Sequence, residues 1–235
     1  MRFVYFCVII SCLFIPLWLR AGNVWLIDKD AFYQSVIRHS TQDASQTAQQ
    51  WLTLIDELKS NPVTDAKTSQ VHAIKKMNRF IHSNVSYQTD QQLYGTEDYW
   101  ASVAETFSQG YGDCEDFAIA QYTTLRSIGI DDAKLRLIYV RARIGGPQSS
   151  ITQAHMVLGY YHTPNEEPLI IDSLIEEVLP ASERPDLTPV FSFNASGLWA
   201  GSSSKKAKSN PLDRLSRWRD VLSRIEQEGI FWRKN

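Results

Sequence analysis

The sequence predicts an α+β protein in which helices come first and an antiparallel sheet follows. Two early segments place apolar residues at helical spacing, and a third such segment follows a glycine-rich turn. Three later segments are rich in branched and aromatic residues, which is typical of strands. The predicted helices are 43–60, 65–84 and 114–127, and the predicted strands are 135–143, 155–161 and 169–174.

Boundary signals support each predicted helix in turn. Pro62 ends the first helix, because proline cannot continue one. The helix that starts at Cys114 should stop at Gly129. Between these helices, 99–108 allows a further short helix, and 23–42 is expected to form a loosely packed lead-in to the fold.

The predicted strands are joined by loops that suit hairpins. A Gly-Gly-Pro loop at 145–147 separates the first two strands, and a turn at 163–165 leads to the third. The following stretch, 181–210, is rich in Ser, Pro, Ala and Gly, and we expect irregular surface there. An amphipathic helix over 212–230 closes the chain.

Length and composition indicate one globular domain after an export signal. Of 235 residues, 43% are hydrophobic and the net charge is −2, so no basic surface suggests nucleic-acid binding. Arg2 precedes an apolar run that ends near Ala21, which is typical of an export signal. We predict cleavage there, a signal over 1–21 and one domain over 22–235, with an uncleaved membrane anchor as the alternative.

Removal of that signal leaves a single thiol, that of Cys114. Cys7 and Cys12 lie inside the signal, so the exported chain cannot form an internal disulfide. Gly110 and Gly112 form a turn onto a predicted helix start, where unpaired N–H groups favour a thiolate and an oxyanion. Cys114 is therefore the candidate nucleophile, and the alternative is a buried, inert cysteine.

His155 and Asp172 are the candidate partners of this thiol. The histidine opens one predicted strand and the aspartate lies within the next, so a hairpin can place them side by side. An imidazole held by a carboxylate can act as general base and then acid for a cysteine nucleophile. Taken singly, either residue is more often structural, and Cys114 reaches them only if its helix packs across the sheet.

Three short motifs resemble the bacterial transglutaminase-like cysteine proteinases, in the branch of LapG-type periplasmic proteases that release adhesins. They are Gly-Asp-Cys-Glu-Asp-Phe-Ala at 112–118, Ala-His-Met-Val at 154–157 and Ile-Asp-Ser at 171–173. The resemblance implies a papain-like, transglutaminase-like core, with the nucleophile helix packed against an antiparallel sheet and flanked by other helices. It also implies a Cys-His-Asp triad and proteolysis.

The same resemblance implies a calcium requirement. Asp113 and Glu115 match the metal-binding positions of that branch, and Asp116 matches an acidic position of the wider superfamily. Carboxylates are suitable calcium ligands, although acids at a helix start also favour the helix dipole without any metal. Carboxylates beside Cys114 should raise its pKa, and a bound cation would offset that effect.

The resemblance also implies a location and two protein partners. The branch acts in the periplasm on a large surface adhesin, which it cuts in the N-terminal region near paired alanines to promote biofilm dispersal. An inner-membrane receptor for cyclic di-GMP inhibits it by sequestration. The residues alone leave two alternatives open, a transglutaminase-like acyl transferase and a non-catalytic exported binding module.

Overall fold

The computed structural model describes residues 24–40, 44–60, 66–146 and 148–232, so the predicted export signal lies outside the described residues. Within those ranges, no helix combines the length and the apolar character needed to cross a membrane. The helices are α1 (Lys29–His39), α2 (Ser45–Ser60), α3 (Lys67–Asn84), α4 (Asp90–Leu93), α5 (Val103–Gln109), α6 (Cys114–Ser127), α7 (Pro211–Arg214) and α8 (Ser216–Gln227). The strands are β1 (Leu26–Ile27), β2 (Ser86–Tyr87), β3 (Tyr111–Gly112), β4 (Leu135–Arg143), β5 (Thr152–Tyr160), β6 (Leu169–Ile171), β7 (Leu179–Pro180), β8 (Leu187–Phe193), β9 (Leu198–Ala200) and β10 (Ile230–Phe231).

A six-stranded antiparallel sheet forms one side of the molecule, with the strand order β7-β6-β5-β4-β8-β9. The long hairpin of β4 and β5 is its centre, and Leu135 lies opposite Tyr160 at one end of this pair. Two short two-stranded sheets join β1 to β10 and β2 to β3. The α+β prediction is therefore confirmed.

Helix α6 lies at the centre of the core, between the sheet and the other helices. It contacts β5, β4, α3 and α5, and every one of its residues except Glu115 is buried. Trp51 of α2 is fully buried against it and donates its indole N–H to Thr124 Oγ1 at 2.9 Å. Trp218 of α8 is fully buried on the other flank, beside Tyr122. Helix α6 is thus enclosed by helices and strands, as predicted.

The predictions of irregular structure for 23–42 and for 181–210 are wrong. The lead-in 23–42 contains β1 and helix α1, and α1 buries Phe32 and Val36 in the core. The stretch 181–210 contains β8 and β9, which extend the sheet beyond β4. Strand β8 is hard to predict from the sequence because it contains Pro189, which is unusual within a strand. Pro189 adjoins a register shift at which Val190 forms a bulge.

The third predicted strand is shorter than expected. Strand β6 ends at Ile171, so Asp172 follows the strand and does not lie within it. Its backbone is free to turn there, and the Leu174 N–H bonds to its carboxylate at 3.0 Å. This turn places the carboxylate beside the middle of β5.

Candidate active site

Cys114 is the first residue of α6, and its neighbours fix this helix start. Asp113 is the N-cap and accepts the N–H of Glu115 at 3.2 Å, while Asp116 accepts the N–H of Asp113 at 3.3 Å. Asp113 and Asp116 form a capping box, in which each carboxylate accepts the backbone N–H of the other residue, so two backbone donors that a helix start leaves unpaired are satisfied. Gly112 is required before it, because a Cβ there would lie 2.8 Å from that of Asp116.

His155 and Asp172 form a buried pair on the sheet. The Nε2 atom of His155 lies 2.8 Å from Asp172 Oδ1, and the two side chains are 4% and 0% exposed. His155 lies opposite Val140 in the β4–β5 hairpin, so the long strand pairing fixes its position. The structure therefore brings together the two residues that the sequence places on neighbouring strands.

Arg184 also contacts Asp172, and no pattern in the sequence indicated this contact. Its guanidinium lies 2.7 Å from Asp172 Oδ2 and also forms two bonds with Asp186, at 3.0 and 2.8 Å. Burial alone raises the pKa of Asp172, but His155, the Leu174 N–H and Arg184 together bring that pKa below its ordinary value. Asp172 is therefore held as a carboxylate, the form that orients an imidazole.

The thiol of Cys114 faces the same strand. The backbone N–H of Met156, the residue after His155, is directed to this sulfur. The thiol itself donates to Glu115 Oε2 at 2.7 Å. Burial raises its pKa well above the ordinary range, and the neighbouring charges of Glu115 and Asp113 raise it further. Local acids and burial thus outweigh the helix start, which by itself would lower this pKa.

Three buried carboxylates meet beside Cys114. Oxygens of Asp90, Asp113 and Asp116 all lie within 4.8 Å of one another, and a second group combines Asp113, Cys114 and Glu115 at similar spacing. Burial raises the pKa of Asp90 to about 6 and that of Asp113 to about 7, and nearby negative charge adds to both shifts. The pKa of Asp116 is also raised, mainly by burial and then by Asp113.

Asp90 is the member of this cluster that the sequence did not reveal. It is the first residue of α4, 24 residues before Cys114, and the loop after α4 holds two more acids, Glu97 and Asp98. One of its oxygens accepts the N–H of Tyr99, and the other is buried without a hydrogen-bond partner. Ala101 donates its N–H to Asp116 at 2.7 Å, so one backbone segment holds two of the three carboxylates.

Helix α8 in turn holds that backbone segment. Arg224 donates to the carbonyl of Trp100, lies over the Tyr99 ring at 5.0 Å and pairs with Glu105 at 3.2 Å. Trp100 is buried and stacks on Phe193, so it belongs to the core. The carboxylate cluster is thereby linked to the C-terminal helix through Arg224.

A thiol at a helix start, approached by the backbone of the residue that follows a histidine held by a buried carboxylate, is an arrangement suited to nucleophilic acyl transfer. Residues 53–185, more than half of the chain, match the family model of bacterial transglutaminase-like cysteine proteinases. The chain belongs to this family. A comparison with curated protein sequences gave no match.

Three solved structures of LapG from Legionella pneumophila resemble this family member. The EGTA-treated form is 37% identical with a TM-score of 0.68, and the match covers 86% of this chain and 100% of that one. A second LapG structure is 37% identical with a TM-score of 0.67, covering 86% and 99%. The calcium-bound form is 38% identical with a TM-score of 0.66, covering 82% and 97%.

These matches confirm two predictions, the family and the transglutaminase-like fold. A cysteine proteinase is what the family supports for this chain. The individual roles of Cys114, His155 and Asp172 stay predictions, to which the geometry now adds a shared location. For the metal, the structure groups Asp113 and Asp116 with Asp90, while Glu115 lies nearer the thiol.

Proposed function

We propose that this chain is a calcium-dependent cysteine endopeptidase of the periplasm, with Cys114, His155 and Asp172 as its catalytic triad. One observation carries the proposal: the Cys114 sulfur is approached by the backbone N–H of Met156 on β5, the residue after His155, and His155 is bonded to a buried Asp172. Nucleophile, base and orienting carboxylate are the three groups that thiol proteolysis requires. Family membership supports the reaction class.

The proposed proton transfers follow from the hydrogen bond that His155 already makes with Asp172. His155 uses Nε2 for Asp172, so Nδ1 remains to take the thiol proton. The sulfur then attacks the peptide carbonyl and forms a C–S bond, and the oxyanion is stabilised by the backbone N–H of Cys114, the helix-start donor that the capping box leaves unengaged. His155 returns its proton to the leaving amine as the C–N bond breaks. Water, deprotonated by His155, finally releases the acyl group and restores the thiol.

The carboxylate cluster fits a calcium ion. Asp90, Asp113 and Asp116 offer hard oxygen ligands, and one buried oxygen of Asp90 has no hydrogen-bond partner. Their raised pKa values indicate that the three negative charges lack compensation, which a divalent cation supplies when bound. The group that includes the Cys114 sulfur is less suitable, because a thiol is a soft ligand.

A cation at this position also bears on the thiol. The pKa of Cys114 is raised by burial and then by Glu115 and Asp113, so a positive charge beside Asp113 favours the thiolate. We expect chelator to slow alkylation of Cys114 by iodoacetamide near neutral pH, and calcium to restore the rate. Full cleavage activity in metal-stripped protein would refute the calcium requirement.

The proposed substrate is a large surface adhesin, cut in its N-terminal region near paired alanines so that the cell leaves a biofilm. An inner-membrane receptor that senses cyclic di-GMP is the proposed inhibitor, acting by sequestration. Both proposals, and the periplasmic location, rest on the family resemblance and on the export-like sequence before Ala21.

The decisive experiment incubates the chain with an adhesin N-terminal fragment, with calcium or with chelator. Two new fragments in calcium, absent for Cys114→Ala, support the proposal. If the substrate is instead converted to crosslinked or amine-labelled product and no fragments form, the reaction is acyl transfer. Retained cleavage by folded Cys114→Ala would exclude the proposed nucleophile.

A further inference from the structure

A cavity on the outer face of the six-stranded sheet holds a buried arginine that has no acidic partner. Arg136 of β4 is only 6% exposed, and none of the ion pairs among the described residues involves it. Its Nη1 atom donates to the carbonyl of Ser203 at 3.3 Å, while its Nε–H is buried without an acceptor. The guanidinium also has a hydrogen-bond partner in the Tyr161 hydroxyl, but no carboxylate balances its charge, and a buried charge without a counter-ion is costly.

Two aromatic rings hold this guanidinium in place. Its central carbon lies 4.5 Å from the ring centre of Tyr161 and 4.1 Å from that of Trp199. Cation–π contacts of this kind fix a guanidinium plane and limit its motion. The N–H groups of the Arg136 guanidinium are therefore held in a fixed position, which lowers the entropy cost of binding an anion.

The cavity around Arg136 has the size and lining of a small-molecule site. It encloses about 360 Å³ and has an apolar wall that includes Ile138, Ile170 and Pro168. Its remaining rim carries small hydroxyl side chains, among them Ser202. An apolar pocket with one well-placed polar group is the usual form of a site for a small organic ligand.

Among the described residues that line the cavity there is one acid, and it forms no ion pair with Arg136. Glu166 lines the cavity, but its carboxylate pairs with Lys67 at 3.2 Å. Among the described residues that line the cavity, Arg136 is therefore the one cation, and it has no carboxylate partner. Its planar fork of donors matches a carboxylate, and the apolar wall matches a hydrocarbon body attached to that carboxylate.

We infer that this cavity binds a carboxylate group carried on an apolar body, with Arg136 as the anion-binding residue. The site is separate from the proposed catalytic triad. Arg136 lies opposite Gly159 in the β4–β5 pair. His155 is four residues before Gly159 on β5, which separates the two positions by roughly 13 Å along the strand. A small apolar cluster of Ile138, Val140, Val157 and Ile170 fills the sheet face between them.

The test is an NMR titration of the isotopically labelled chain with matched ligands. Hexanoate represents a free organic acid, N-acetyl-leucine represents a peptide C-terminus, and N-acetyl-leucinamide is the neutral control. We expect saturable shifts at the amides of Gly159 and Gly201 with an acid and no shifts with the amide. The acid that binds with the higher affinity shows whether the cavity prefers a free organic acid or a peptide C-terminus.

Variants separate the arginine from general surface charge. Arg136→Met should weaken acid binding by about tenfold or more, whereas Arg141→Met, on an exposed position of the same strand, should leave it unchanged. If Arg136→Met does not fold, Arg136→Lys keeps the charge and should still prefer acid to amide. Shifts that map elsewhere, equal binding of the amide, or equal binding of inorganic phosphate would each overturn the inference.

Discussion

Replacement of Arg184 by methionine tests whether the proposed triad depends on a fourth side chain. The substitution removes a buried guanidinium, 6% exposed, that lies 2.7 Å from Asp172, whose side chain is fully buried. Asp172 keeps the bond from His155 and the N–H of Leu174, so it loses one of three partners. We expect Arg184→Met to impair both stability and the pH range of activity.

The size of the stability loss follows from burial. Removal of one partner from a buried ion pair typically costs about 3–5 kcal/mol, and the two remaining partners of Asp172 favour the lower end. A loss of about 3 kcal/mol in a domain of this size lowers the unfolding midpoint by about 6–12 °C. Arg79→Met is the matched control, because Arg79 is exposed and lies 3.8 Å from its acid Glu176.

The pH effect has a definite sign. The native pKa of Asp172 is depressed, so its paired carboxylate stabilises the fold above the ordinary Asp range and loses that effect as the pH falls through the depressed value. Without Arg184 that pKa rises, and the acid limb of the cleavage profile should move to higher pH. Arg184→Lys, which keeps a charge, should recover part of this shift.

The assays are thermal unfolding followed by circular dichroism, and cleavage of an adhesin fragment across pH in calcium. An unfolding midpoint like that of Arg79→Met, together with an unmoved acid limb, would refute the role of Arg184. A fall in stability without any movement of the acid limb would leave Arg184 as a structural residue only.

Three further predictions concern the nucleophile and the metal. Cys114→Ala should abolish cleavage by at least about 10³-fold while circular dichroism stays unchanged, and residual cleavage near the native rate would contradict this. Asp90→Asn should weaken calcium affinity by about tenfold or more in calorimetry, whereas Glu97→Gln on the exposed side of the same loop should not. Arg224→Met should also weaken calcium affinity, because it releases the 99–101 backbone that bonds to two of the carboxylates. Equal calcium affinity in Arg224→Met and its surface control Arg217→Met would show that α8 does not support the site.

Local patterns were sufficient for the elements around the nucleophile. The bounds of α6 and β4 agree with the sequence prediction, because a capping aspartate, a terminal glycine and a run of branched residues mark them. Strand β8 was missed because Pro189 and a bulge interrupt its alternation. Helix α1 was missed because its buried residues are few, and its packing against α5 and α2 holds it in place.

The residues missed in the site have a common cause. Asp90 is distant in sequence from Asp113 and Asp116, and Arg184 is distant from Asp172, and each lies in a segment with other charged residues. Nothing local distinguishes them from solvated surface charges. Their roles depend on which segments the fold brings together, and single-sequence patterns do not contain that information.

The burial of α6 has a consequence for how this enzyme can change. Because every residue of α6 except Glu115 is buried, nearly any substitution on this helix disturbs core packing. Natural variation and laboratory evolution are therefore constrained on this helix. New cleavage preferences have to arise in the exposed residues around the site, such as Tyr87 and Leu174, which can be exchanged at little cost to stability.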